Sequence, residues 1–316
     1  MYKDKHVLLI AGGGTLGTYT GRELLRLGCY VDVICPEEKH ADHERLTFHR
    51  GYATEELLAA LFEKKRYDGI VNFLHYPQVE AYKQAYRFLI KNTDHLIFLS
   101  SYRVYANEQH PVTEDAPRLH EVYAENEWLM QKDTYGISKA RCEDFLWQEC
   151  RGERWTIVRP VISFSQYRLD LLLNSKDDVL RYARAGKPMP LPLSAKHLHA
   201  GLDWAGNSGK LIANLLFKQQ AIGEAFTIFS GHGMTWGEVA DAYCKTIGLR
   251  VEWVSDEAYF ESTPDVKAKS EIMWRYDRAF DRDMDVGKVL RVTGLTPTDF
   301  SSVEDGIRTE VALLQK

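Results

Sequence analysis

Short apolar runs alternate with amphipathic stretches through the first half of the chain. His6–Ala11 (HVLLIA) is apolar at consecutive positions, as in a strand buried on both faces of a parallel sheet. Thr18–Leu27 gathers Leu24, Leu25 and Leu27 on one side and stops at Gly28, which predicts a helix. Tyr30–Cys35 (YVDVIC) reads as a second strand, closed by Pro36. The rhythm continues with a helix over Glu55–Lys64, a strand over Gly69–Leu74 and a helix over Val79–Lys91. It goes on with a strand over His95–Ser100, a helix over Tyr135–Gln148 and a strand over Trp155–Arg159. Regular alternation of this kind predicts an α/β fold, a doubly wound parallel sheet with helices on both faces.

Beyond Pro160 the texture changes. Loops carrying Pro188, Pro190 and Pro192 precede a predicted helix at Asn207–Phe217 and a strand at Ala225–Phe229, and helices with short pieces follow from Met234. The expected organisation is a nucleotide-binding domain over residues 1–164, with 196–231 returning to it. Residues 165–195 and 232–316 then form a smaller C-terminal α/β substrate-binding cap over the carboxyl edge of the sheet, where ligands of such folds bind.

Composition narrows the classes. The 316 residues carry a net charge of −5 with no block of Lys or Arg, so no nucleic-acid partner is expected. No apolar run approaches the roughly 18 residues of a membrane span, and MYKDKHVLLIAGGG reads as a first strand entering a glycine turn rather than a leader. The five cysteines are odd in number and none lies in a C-x-x-C pair, which points to free thiols in a reducing cytoplasm. His197 and His199 are the only close histidine pair and lack further ligands nearby, so no metal is expected.

Candidate chemistry begins at Gly12-x-Gly14-x-x-Gly17, which lies directly after the first strand and before the first helix. Glycines there allow a tight turn and close approach of a pyrophosphate, and the helix N-terminus offers amide donors and a favourable dipole. In a strand–loop–helix setting this is a dinucleotide-binding pattern of the Rossmann type. An acid that would bind the adenosine ribose is expected at the end of the second strand. Cys35 occupies that place, with Asp32 inside the strand, facing a helix, and Glu37 just past the turn. NAD and NADP both stay open.

Tyr135-Gly-Ile-Ser-Lys139 puts a phenol and an ammonium four residues apart on one helix face, where the ammonium favours phenolate and prepares it for acid–base work. Ser100-Ser101-Tyr-Arg-Val-Tyr105 sits at the carboxyl end of the HLIFLS strand, where a hydroxyl can reach a ligand over the sheet edge. Taken in this order, the three features resemble the extended short-chain dehydrogenase/reductase (NAD-dependent epimerase/dehydratase) family over nearly the whole length. IAGGGTLG is similar to that family's TGxxGxxG loop, with Ala11 in place of the first glycine. SSYRVY is similar to SSxxVYG, and YGISK supplies its tyrosine and lysine. VTEDAPRL, IVRP and GEAFTIFSG also resemble family phrases. The chain departs from the family at Cys35, at Tyr52 where an Asp is common, and at VISFS after Arg159-Pro160.

The resemblance implies Ser101, Tyr135 and Lys139 as catalytic residues, with Ser101 and Tyr102 at the substrate. It implies Gly12, Gly14, Thr15, Leu16, Gly17, Cys35, Phe73, Leu74, Tyr135, Lys139 and Pro160 at an NAD or NADP cofactor. The implied reaction is reversible hydride transfer, by an epimerase or a dehydrogenase/reductase, on a nucleotide sugar or related polyhydroxylated small molecule. A 4,6-dehydratase is disfavoured because Tyr102 and Arg103 stand where such enzymes have Asp-Glu. From another class comes a non-catalytic dinucleotide-sensing or RNA-binding relative of the same fold. Apolar positions on the Val79–Lys91 and Tyr135–Gln148 helices serve either a homodimer or the core.

Overall fold

The computed structural model describes residues 1–263 and 271–314. Seven parallel strands form the central sheet: β1 (His6–Ile10), β2 (Tyr30–Cys35), β3 (Leu46–Arg50), β4 (Gly69–Asn72), β5 (Leu96–Leu99), β6 (Trp155–Pro160) and, after three strands outside the sheet, β10 (Glu224–Ile228). Their order is β10-β6-β5-β4-β1-β2-β3. The order reverses at β1, which pairs Ile10 with Ile34 of β2 on one side and with Asn72 of β4 on the other. The crevice above that reversal is where open α/β sheets bind ligands.

Both faces of the sheet are covered, so β4 and β6 are buried at every position and β1 at every position after His6. On one face lie α1 (Thr15–Arg26) and the helix Ala205–Leu215, which contact each other so closely that a Cβ on Gly209 would meet the Tyr19–Thr20 backbone. Their core gathers Val7, Leu9, Leu24, Val31 and Val33 with Leu211, Ile212 and Leu215. On the other face, α2 (Glu55–Lys64), α3 (Val79–Leu89) and the helix Gly136–Glu149 bury Leu58, Tyr82, Tyr86, Phe145 and Leu146 against Leu8, Ile10 and Ile157. The apolar positions of α3 and Gly136–Glu149 are thus used within the chain. Their outer surface carries the Lys83–Glu149 and Arg87–Glu149 ion pairs.

Five strands are not expected from the sequence: Leu46–Arg50, Ile162–Phe164, Pro188–Pro192, Leu202–Trp204 and Arg250–Val254. β3 (LTFHR) is half-exposed at the sheet edge, so it lacks the apolar run that marks the central strands. Pro188–Pro192 is β8 rather than a loop, pairing in parallel with β11 (Arg250–Val254). Its prolines fall on every second residue, so the missing N–H groups all face the open side of a two-stranded ribbon. Asp32, expected to face a helix, meets Lys65 Nζ from the C-cap of α2 at 2.5 Å and His49 Nε2 of β3 at 2.6 Å.

The region above the sheet's carboxyl edge comprises the helices Lys176–Ala185, Trp236–Ile247, Asp256–Ser262 and Val303–Leu314, the β8–β11 ribbon, and β7 (Ile162–Phe164) paired with β9 (Leu202–Trp204). Its core of Phe164, Leu171, Val179, Leu191, Trp236 and Tyr243 is continuous with Tyr102, Val104 and Tyr105, which lie just past β5. That shared packing closes the cleft from above. No helix among the described residues is long and apolar enough to cross a membrane, and no group of three metal-ligating side chains occurs among them.

Candidate active site

The loops after β1, β4, β5 and β6 converge on a cleft of about 440 Å³. Its floor begins at the glycine loop. Ala11 adopts a left-handed backbone (φ +56°), the region that favours glycine, and occupies the position where the motif ordinarily has one. Gly12 packs against Leu9 and Val33, and Gly17 lies so close to the Gly12 backbone that a Cβ there has no room. Gly14 is different. Its backbone is ordinary extended chain (φ −84°, ψ −167°), and nothing lies within 4 Å of where its Cβ would stand. That empty space is the cleft itself, because Gly14, Thr15, Leu16 and Gly17 all line it. No side chain caps α1 and no acid sits in its first turn, so the helix presents its N-terminal amides to the cleft. The Thr15 hydroxyl meets Ser165 Oγ of the upper region at 2.9 Å.

At the end of β2, Cys35 is buried, its thiol directed at the Glu37 carbonyl, and it does not line the cleft. The carboxylate at the loop belongs to Glu37, whose Oε2 lies 2.8 Å from where a Cβ on Gly13 would stand. Lys39 Nζ donates to the Gly13 carbonyl at 2.5 Å and sits 5.8 Å from the centroid of the Tyr167 ring. A second recess of about 330 Å³ opens here, lined by Gly12, Gly17, Arg22, Val33, Lys39 and Tyr167 among others.

The far end of the cleft holds Ser101 and Tyr135. Ser101 follows β5 and caps a single 3-10 turn, its Oγ accepting the Arg103 N–H at 3.2 Å. Tyr135 stands at the start of the helix Gly136–Glu149, fixed by Asp133 Oδ1, which accepts the N–H groups of Tyr135 at 3.1 Å and Gly136 at 2.9 Å. Burial pushes the Tyr135 phenol above its ordinary pKa, while the Arg103 guanidinium and a hydrogen bond with Ser101 pull it back. Arg103 Cζ lies 5.4 Å from the Tyr135 ring centroid, against 5.9 Å for Lys139 Nζ. Lys139 is buried beneath the cleft, donating to the carbonyls of Leu99 at 2.5 Å and Leu74 at 3.2 Å. Desolvation lowers its pKa to about 8. His75 packs on the other side of Tyr135, ring centroids 5.0 Å apart, with Nε2 2.9 Å from Ser138 Oγ.

Of the residues expected from sequence, Gly14, Thr15, Leu16, Gly17, Phe73, Ser101, Tyr102, Tyr135 and Pro160 line one cleft. Gly12, Cys35, Leu74 and Lys139 lie around it without lining it; Leu74 contributes its carbonyl to Lys139. Tyr102 presents part of its side chain, but its hydroxyl is committed to Asp277 Oδ1 at 2.5 Å. Reading the sequence missed Arg168, Asp277 and Arg278, which also line the cleft, and saw Arg103 only as a side chain unable to act as a base. The Arg103 signal was present in SSYRVY, two residues from the serine.

No protein-family model and no curated protein sequence matches the chain. Solved structures do match in fold. The epimerase Mth375 of Methanothermobacter thermautotrophicus superposes with a TM-score of 0.72 at 15% identity, over 99% of this chain and 93% of that one. The Bordetella bronchiseptica enzyme WbmH, solved with NAD+, gives 0.69 at 16% identity over 99% of each chain. The UDP-N-acetylglucosamine 4-epimerase of Bacillus cereus gives 0.67 at 17% identity, over 99% of this chain and all of that one. The chain shares its fold with these proteins over nearly its whole length.

Proposed function

We propose that this chain is an NAD(P)-dependent enzyme of the extended short-chain dehydrogenase/reductase type, acting by reversible hydride transfer on a nucleotide sugar or related polyhydroxylated compound. The observation that carries the reading is the continuity of one cleft from the uncapped α1 N-terminus to the Ser101–Tyr135 pair. Neighbours of the same fold solved with UDP-glucose and NAD, at 17% identity, support the substrate class.

The open volume over Gly14 suits a pyrophosphate, which Gly14, Thr15, Leu16 and Gly17 would hold, while Glu37 would meet the adenosine ribose in place of Cys35. Phe73 and Pro160 would flank the nicotinamide, whose C4 would supply or accept hydride, and Lys139, beneath the cleft, would face its ribose. Tyr135 takes the proton from a substrate hydroxyl, and Ser101 positions that oxygen. Arg103 and Ser101 favour the phenolate that burial opposes. Elimination of water would need a further acid. Asp277 is the carboxylate in the cleft, and the guanidiniums of Arg278, Arg103 and Arg282 hold its pKa below the usual range, so it stays ionised at neutral pH. An epimerase or a dehydrogenase/reductase therefore fits better than a 4,6-dehydratase.

The test is calorimetric titration with NAD and NADP, followed by a nucleotide-sugar screen read by 340 nm absorbance and product mass. An epimerase returns an isomer of unchanged mass, whereas a reductase accumulates oxidised cofactor. Absence of cofactor binding overturns the reading, and a product lighter by one water overturns the preference against elimination.

A further inference from the structure

Among the described residues, the part of the cleft wall built by Arg103, Asp277 and Arg278 carries more positive charge than its neighbours neutralise. Arg103, Arg278 and Arg282 share two buried carboxylates, Asp133 and Asp277. Arg168, also on the wall, is matched separately by Asp170 at 2.5 Å. Three guanidiniums against two carboxylates leave one positive charge in a site where the side chains of Arg278 and Asp277 are 2% and 1% exposed. The hydrogen bonding is also incomplete. Arg103 Nε and Arg282 Nε are buried without a hydrogen-bond partner, Arg103 Nε facing Asp277 Oδ2 at 3.7 Å, and Arg103 Nη1 and Arg278 Nη2 make no hydrogen bond among the described residues.

The chain shows what a purely structural buried arginine looks like. Arg159, fully buried, forms two hydrogen bonds to the Glu143 carboxylate at 2.9 and 2.8 Å and uses its remaining nitrogen on Tyr105 Oη and the Glu114 carbonyl. Every nitrogen of that guanidinium has a hydrogen-bond partner, whereas Arg103 Nε and Nη1 have none among the described residues. Leaving a buried charge uncompensated is unfavourable, and a compensating anion brought by a ligand is the simplest remedy.

Position identifies the anion. Arg103 is two residues past Ser101, and its guanidinium lies against the Tyr135 ring. A group bound to it therefore sits within about one sugar ring of the hydroxyl that Tyr135 would deprotonate. A diphosphate at the far end of a nucleotide sugar is a poorer match for that place than a substituent next to the reacting carbon. The planar fork of arginine is matched to the two oxygens of a carboxylate.

We propose, resting on the function above, that the substrate carries a carboxylate on the carbon adjacent to the one oxidised, as in a hexuronate, and that Arg103 with Arg278 binds it. The experiment uses the full chain saturated with its cofactor. Nucleoside-diphosphate sugars are supplied in pairs differing only in carboxylate against hydroxymethyl, across uracil, thymine, guanine and adenine nucleotides, and both calorimetric affinity and kcat/KM are measured. For at least one nucleotide the uronate should be favoured over the hexose by roughly 10- to 100-fold, the range of a charge-assisted bidentate pair. In Arg103→Gln and Arg278→Gln that ratio should fall towards one. Because the ratio is internal to each variant, a general loss from disturbing Asp133 or Tyr135 cancels. Equal use of both sugars, or preference for the hexose, overturns the proposal and leaves the function standing. A preference that survives both substitutions overturns the assignment to these arginines. If no pair binds or turns over, the proposal falls, and cofactor affinity in the same samples shows whether the function falls with it.

Discussion

Gly14→Val separates a glycine kept for a ligand from one kept for the fold. The Gly14 backbone is extended and its missing Cβ faces open cleft, so the valine Cβ comes within 4 Å of no protein atom beyond its chain neighbours and meets no forbidden φ. The structural cost is confined to replacing glycine by a poorer residue at the α1 N-cap, about 0.5–1 kcal/mol. In a chain of this size that lowers Tm by roughly 1–2 °C. The ligand-side cost is larger, because three side-chain carbons would fill the space above the first turn of α1. Displacing a pyrophosphate from about two charge-assisted amide hydrogen bonds at 1.5–3 kcal/mol each weakens binding by roughly 10²–10⁴-fold. Gly17→Ala is the contrasting variant. Its single added carbon would overlap the Gly12 backbone, so it should lose folded protein before any binding can be measured. Circular dichroism melts and NAD(P) titration calorimetry on both variants give the answer. A folded Gly14→Val protein with wild-type cofactor affinity would refute the assignment of the open volume to a phosphate.

Three further outcomes are expected. Tyr135→Phe keeps the ring against Arg103 and His75 but removes the proton carrier, so turnover should fall by roughly 10²–10⁴-fold with cofactor affinity nearly unchanged, measured by steady-state kinetics on any accepted substrate. Ala11→Gly relieves a left-handed non-glycine residue and should raise stability by about 1 kcal/mol in urea denaturation; a loss of stability would show that the strain has been misjudged. His95 is buried neutral, Nδ1 accepting the Phe217 N–H at 2.9 Å and Nε2 2.8 Å from Thr156 Oγ1, and burial lowers its pKa from 6.5 to about 3. Its folded pKa lies below its unfolded one, so the unfolded chain binds the extra proton between them. Stability is therefore full above pH 6.5 and falls as pH drops towards 3, by about 1.4 kcal/mol per pH unit. His95→Gln should flatten the acid limb of the stability curve by about one proton, and an unchanged slope would count against a neutral buried histidine.

The parts of the fold legible in the sequence are those whose physics is local. β2 and α2 fall at Tyr30–Cys35 and Glu55–Lys64, the spans that apolar runs and periodicity predict. β1, β4, β5 and β6 differ from expectation by no more than a residue or two at each end. β3 and β8 were hidden for opposite reasons. One is half-exposed and carries polar residues, and the other carries prolines that a paired strand tolerates only because its second edge is open. Buried polar residues were harder still. Asp32 looked like a residue facing a helix, and nothing within β2 announces that His49 and Lys65 hold it.

The same distinction governs the site. Ser101, Tyr135 and the glycine loop stand at the ends of regular elements, so spacing and flanking pattern were enough to single them out. The groups that act on Tyr135 follow a different rule. The spacing of Tyr135 and Lys139 suggests that the lysine is the charge that prepares the phenol. In the folded chain that ammonium is drawn down to two backbone carbonyls, and the guanidinium of Arg103 lies closer to the ring. Arg103 in turn is held by Asp133 and faces Asp277, a residue that meets Tyr102 across 175 positions of sequence. A charge balance assembled from such distant segments leaves no periodic trace, yet it decides both how readily Tyr135 ionises and which anion the cleft accepts. A carboxylate bound at Arg103 would offset part of the field that favours the phenolate. If Arg103 serves both purposes, the uronate should bind more tightly while the Tyr135 pKa in its complex rises. The pH-rate profile for kcat, which reports groups in the substrate complex, should then have the acid-side inflection, below which the phenolate is protonated, at higher pH for the uronate than for the matched hexose. Identical inflections would show that the charge binding the substrate and the charge preparing the tyrosine are separate.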